Sequence, residues 1–89
     1  MIQHQATLIN KLGLHARAAM QLVNLASRFQ CKITIQYNNR DVNAKSIMNM
    51  MVLGATCGSQ LTFSLQGPDE NDAWKAISEL INNRFGEAE

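Results

Sequence analysis

The stretch Gly13-Leu14-His15-Ala16-Arg17 sets an imidazole and a guanidinium two residues apart, where an extended segment gives way to helix-type periodicity. The first backbone N–H groups of a helix lack internal partners, and the macrodipole leaves partial positive charge there. Such a tip is a ready seat for phosphate. Arg17 adds a full charge and a fork of donors that matches phosphate oxygens. Gly13 permits a tight turn ahead of it. An imidazole is largely neutral at cellular pH and offers a nucleophilic lone pair, so His15 could accept a phosphoryl group and, the P–N bond being labile, pass it on. That transfer needs positioning and charge neutralisation more than covalent help. The same residues also suit an inert helix start, and the pattern by itself does not choose. His4, without a charged partner in its segment, reads as a plain surface residue.

A second stretch, Lys45-Ser46-Ile47-Met48-Asn49-Met50-Met51-Val52-Leu53, is apolar nearly all round. Ser46 is a good N-cap. Met50 and Leu53, three apart, can face a core; Ile47, Met48, Met51 and Val52 cannot all be buried by so small a domain. Their surplus predicts an exposed apolar patch of the kind that marks partner surfaces, where methionine tolerates varied partners. Core filling by the methionines is the alternative.

The elements that must position these residues follow from periodicity. Residues 2–9 alternate loosely as a half-buried strand, with Ile2, Ala6 and Leu8 on one side; 10–13 break it as a loop. A helical stripe runs from Ala16 to Phe29 through Ala19, Leu22, Val23 and Ala26. Residues 32–37 and 40–44 read as strands joined at Asn38-Asn39, because asparagine tolerates positive φ. A short helix spans Ser46–Leu53 and stops at Gly54. Residues 60–66 alternate strictly, with Leu61, Phe63 and Leu65 inward. Asp69 is expected to cap a last helix, helped by Asp72, with a stripe of Ala73, Ile77, Leu80 and Ile81 and with Trp74 and Phe85 at its margins. The order β-α-β-β-α-β-α predicts one domain over 1–89. Its class is α+β: a two-layer open-faced sandwich, a four-stranded mainly antiparallel sheet with three helices on one face. The other face, carrying Thr34, Gln36, Thr62 and Ser64, should meet solvent.

Composition narrows the function. The 89 residues carry a formal net charge of +1 and show no basic stripe, which argues against a nucleic-acid partner. No run approaches the roughly 20 apolar residues of a membrane span, and the first residues do not resemble a secretory signal. Cys31 and Cys57 belong to no CxxC pair and are expected as reduced thiols of a cytoplasmic protein, a disulfide between them being the alternative. No metal site or cofactor is expected.

With both motifs in place, the chain resembles the histidine-containing phosphocarrier family, HPr, of the bacterial phosphoenolpyruvate-dependent phosphotransferase system. The resemblance is strongest at Asn10-Lys11-Leu12-Gly13-Leu14-His15-Ala16-Arg17 and at Asn43-Ala44-Lys45-Ser46-Ile47-Met48, and it extends to the closing Asn83-Arg84-Phe85-Gly86-Glu87. It implies phosphorylation of His15 on Nδ1 by enzyme I, transfer to IIA-type domains, and assistance from Arg17. It implies a docking surface of Leu14, Met20, Ile47, Met48 and Met51. Ser46 matches the position that a dedicated HPr Ser kinase/phosphorylase modifies in some members. The carrier is expected to be a monomer and a relay intermediate rather than a turnover enzyme. Ala18 stands where the family commonly has proline; it restores a first-turn N–H donor. A regulatory, nitrogen-type carrier without sugar transport is the neighbouring reading. A ligand-binding α+β module that would not need His15 is the reading from another class.

Overall fold

The computed structural model describes all residues, 1–89. Strand β1 (Ile2–Thr7) is followed by helix α1 (Ala16–Ala26), strands β2 (Lys32–Tyr37) and β3 (Arg40–Asn43), helix α2 (Ile47–Leu53), strand β4 (Gln60–Gln66), helix α3 (Glu70–Asn82) and a short closing turn, Arg84–Gly86. The four strands form one sheet in the order β1-β4-β2-β3. Every pairing is antiparallel, not merely most of them. Asn38 and Asn39 take φ of 52° and 62°, so the predicted asparagine turn closes the β2–β3 hairpin.

Alternation assigns the two faces. Register sets Val42, Ile35 and Phe63 side by side, with Ile33 beside Leu65. These side chains are buried together with Ala18, Ala19, Leu22 and Ala26 of α1, Met50 and Leu53 of α2, and Ala73, Ile77 and Ile81 of α3. Gln36 on the opposite face is exposed, while Thr34, Thr62 and Ser64 are half-buried.

Several boundaries and roles differ from the sequence reading, each for a local reason. β1 ends at Thr7 because β4 begins opposite it at Gln60. Beyond that point Leu8 bonds the loop instead: its N–H donates to the Ser59 carbonyl and its own carbonyl accepts from Gly58. β3 ends at Asn43, one residue early. α1 stops at Ala26 rather than Phe29, because Arg28 and Phe29 donate to the carbonyls of Leu25 and Ala26 in tighter, three-residue turns.

The next two N–H groups go to a distant carboxylate. Asp69 occupies the N-cap position of α3 but caps nothing. Its oxygens accept from the N–H of Gln30 (2.8 Å) and of Cys31 (2.9 Å), welding the α1–β2 connection to the β4–α3 connection. The Gln30 N–H foremost holds the Asp69 carboxyl below its ordinary range. Burial, followed by Asp69, pushes the neighbouring Cys31 thiol up. The charge at the start of α3 comes from Glu70 and Asp72. His4 is exposed but not idle: its ring stacks on Trp74 of α3, with centroids 4.8 Å apart. Phe85, expected at a helix margin, is 2% exposed and sits in the core.

Candidate functional site

The loop between β1 and α1 is pinned on two sides. On one side, Gly13 has a φ of +64°, and a Cβ there would lie 2.7 Å from Thr56 Cα and 2.8 Å from the Ala55 carbonyl oxygen. Glycine is therefore required for backbone angle and for space. The Leu14 N–H donates to the same Ala55 carbonyl at 3.0 Å. On the other side, the wholly buried Asn10 donates from Nδ2 to the Gly13 carbonyl (2.7 Å) and to Glu87 Oε1 (3.0 Å).

His15 is thereby delivered to the N-cap of α1 with φ −74° and ψ 177°, an extended backbone. Its carbonyl accepts the Ala19 N–H at 2.8 Å, while its side chain makes no capping bond. The N–H groups of Ala16, Arg17 and Ala18 thus stand at the helix tip outside the intrahelical ladder. The imidazole is 29% exposed. Arg17 is exposed and forms no ion pair within the chain, so its guanidinium is available to an incoming anion.

The fourth component is Glu87. Its Oε2 pairs with His15 Nε2. The Asn10 amide, foremost, and then His15 hold the Glu87 carboxyl below its ordinary range, with Arg17 adding a smaller pull. Glu87 is therefore an anion at neutral pH, able only to accept, and Nε2 supplies the proton of that bond.

An unusual backbone brings Glu87 there. Arg84 and Phe85 both take φ of 54°, and Gly86 takes 79°. Left-handed non-glycine residues of this kind cost on the order of 1 kcal/mol or more each. Burial of the Phe85 ring, worth roughly 1.5–3 kcal/mol, offsets that cost and anchors the reversal. Beyond it, Lys11 N–H donates to the Glu89 carbonyl, and Lys11 Nζ lies 3.4 Å from the Glu89 carboxylate.

The other expected residues fall into two groups. Met20 on α1 (55% exposed) and Ile47, Met48 and Met51 on α2 (38%, 77% and 51%) lie at the surface of two helices that pack together. Met50 and Leu53 are buried, as the spacing predicts. Leu14 departs from expectation: at 6% exposure it belongs to the core and supports the His15 loop from beneath, so it offers no docking surface. Ser46 is the N-cap of α2, its hydroxyl accepting the Asn49 N–H at 3.4 Å. Nothing in the spacing of the sequence points to Asn10 or Glu87 as parts of the site. The family resemblance includes both segments, but neither residue belongs to a periodic pattern. Their meeting across 77 residues is a tertiary event.

Comparison with known proteins agrees with this geometry. The family described as PTS HPr component phosphorylation site matches residues 2–83. The chain is 51% identical over 89 residues to the phosphocarrier protein HPr of Cupriavidus necator, with both chains covered completely. The crystal structure of HPr-C-His from Thermoanaerobacter tengcongensis superposes with a TM-score of 0.96 at 43% identity, again covering 100% of each chain. A structure described as an HPr dimer from the same organism superposes at 0.78, with 44% identity over 98% of this chain and 100% of that one. With its fold, its full-length relatives and the matched phosphorylation-site family in agreement, the chain belongs to the HPr family, the phosphocarriers of the phosphotransferase system.

Proposed function

We propose that His15 is the residue that carries the phosphoryl group and that Arg17 neutralises it in transit. The supporting observation is the partly exposed imidazole at the tip of α1, next to backbone N–H groups outside the helix ladder and a guanidinium without an ion-pair partner. An anion arriving there meets a helix N-terminus and a full positive charge together. None of these groups encloses the site, which suits a carrier that must release its cargo.

Phosphotransferase-system proteins are the partners of such a carrier. Enzyme I is the donor and IIA-type domains are the acceptors in this reading. Met20, Ile47, Met48 and Met51 form the apolar docking surface, with conformable methionines meeting more than one partner. No helix is long and apolar enough to cross a membrane; the cytoplasm is the proposed location. Ser46 is a candidate for regulatory phosphorylation. A phosphate on this N-cap would place negative charge beside the docking helix and weaken donor binding. The whole site comes from one chain, so the chemistry needs no second copy, and light scattering at working concentration reports the association state.

The test is incubation with enzyme I and labelled phosphoenolpyruvate. Acid-labile, base-stable label should appear on the chain and vanish in His15→Ala. Label that survives that substitution refutes the assignment. Acceptors of the sugar branch and the nitrogen branch, offered in parallel, tell which branch the carrier serves.

A further inference from the structure

We propose that Glu87 is a positioning residue that selects which nitrogen of His15 receives phosphate, by binding Nε2–H and leaving the Nδ1 lone pair as the nucleophile. This rests on the reading of His15 as the phosphoryl carrier. It goes beyond that reading because Glu87 lies outside residues 2–83, the part of the chain matched by the family.

Geometry carries the argument. An imidazole has two chemically similar nitrogens, and which of them is the nucleophile depends on the hydrogen bond made by the other. Glu87 Oε2 occupies Nε2. Nδ1 makes no hydrogen bond within the chain and is not among the side-chain atoms sealed from solvent without a partner. One nitrogen is therefore blocked by a carboxylate and the other is open.

The carboxylate is itself held in place. Asn10 is fully buried and tied to the Gly13 carbonyl, and it grips the second oxygen of Glu87. The reversal at Arg84–Phe85–Gly86, seated by the buried Phe85 ring, fixes the backbone behind it. The His15 loop and the closing segment are thus parts of one assembly, joined through Asn10.

In the transfer step, the Nδ1 lone pair forms a bond to phosphorus. The bond from phosphorus to the donor protein breaks, and its electron pair leaves with the donor. The proton stays on Nε2, so the ring gains positive charge beside the Glu87 carboxylate. That charge is stabilised where it develops, as a carboxylate does for an imidazolium elsewhere. In the reverse sense, when an acceptor attacks phosphorus, the pair returns to Nδ1 and the ring is neutral again.

The experiment uses the intact chain with histidine labelled in nitrogen-15, in a His4→Gln background so that His15 is the single imidazole. Phosphoramidate serves as donor because it requires no partner surface. Phosphorus–nitrogen NMR assigns the phosphorylated atom. The expected result is the Nδ1 isomer in the otherwise unchanged chain and loss of that selectivity in Glu87→Ala, with the Nε2 isomer appearing. Glu87→Gln keeps an acceptor oxygen and should retain Nδ1 selectivity. Glu89→Ala, which removes only the exposed pair with Lys11, should match the unchanged chain. Uptake from phospho-enzyme I should fall about tenfold in Glu87→Ala, as expected when a carboxylate orienting a functional histidine is lost. Identical isomer ratios with and without Glu87 overturn the proposal. Absence of His15 phosphorylation from either donor in the unchanged chain overturns the carrier assignment instead, so the two failures are distinguishable.

Discussion

Asp69 and Glu87 are both carboxylates, both held below their ordinary pKa and both bonded to elements far away in sequence. Their partners differ. Asp69 accepts from two backbone N–H groups, those of Gln30 and Cys31. Those donors never change charge or leave, so the contact can only hold two connections together. Glu87 accepts from one fixed amide, Asn10, and from the imidazole of His15, the proposed phosphoryl carrier, whose charge would change on phosphorylation. A carboxylate locked to backbone donors is a staple; one shared with an imidazole is placed where, on the proposed reading, it can act on that ring's chemistry.

Phe85→Ala attacks the functional side of this contrast through its anchor and should have the largest effect on stability. Loss of a ring that is 2% exposed should cost about 3–4 kcal/mol, read as a lower urea midpoint. It should also free Glu87, so His15 labelling from phospho-enzyme I should slow even under conditions where the variant is fully folded. Unchanged labelling would show that Glu87 reaches His15 without this anchor.

Asp69→Ala attacks the structural side. The urea midpoint should drop while uptake from phospho-enzyme I stays that of the unchanged chain. The pH dependence sharpens the point. A carboxyl whose folded pKa is depressed contributes stability above its unfolded value of about 3.9, and that contribution is lost as pH falls through the folded value. The stability of the unchanged chain should therefore fall below about pH 4 more steeply than that of Asp69→Ala. Parallel acid limbs would remove Asp69 from the account.

Arg17→Ala should leave the urea midpoint nearly unchanged, because the side chain is exposed and forms no ion pair within the chain. The uptake rate should drop about tenfold, equivalent to one charge-assisted hydrogen bond to the moving phosphate. Ala18→Pro should do least. It removes one N–H donor at the first turn of α1. The phosphohistidine lifetime should shorten by about fivefold at most, the worth of one net hydrogen bond; a longer lifetime would show that the N–H restored by Ala18 does not hold the phosphate.

Much of the fold is legible in the residues because periodicity records which face is buried. Strict alternation in Leu61, Phe63 and Leu65 matches the buried side of β4, and the apolar surplus around Met48 matches an exposed surface. Where the pattern stops, so does the reading. Leu14 lies in a loop, which has no period to show that its side chain turns inward. Asp69 has the spelling of a helix cap, yet its carboxylate is taken by N–H groups 38 and 39 residues away. Phe85 looks like the margin of a stripe because a positive φ carries no signature in an aromatic residue.

By itself the sequence determined the element order and with it a mainly antiparallel α+β sandwich, the place of His15 and Arg17 at a helix tip, and the exposed methionines of the second helix. Each of these follows from spacing within a few residues, where backbone geometry alone relates one side chain to the next. Only the tertiary structure decided that Glu87 meets His15, across 72 residues, and that Asn10 holds it there. Contacts of that kind arise when separate elements pack, so the pairing of donor and acceptor is set by the shared core beneath them and not by either segment's own pattern.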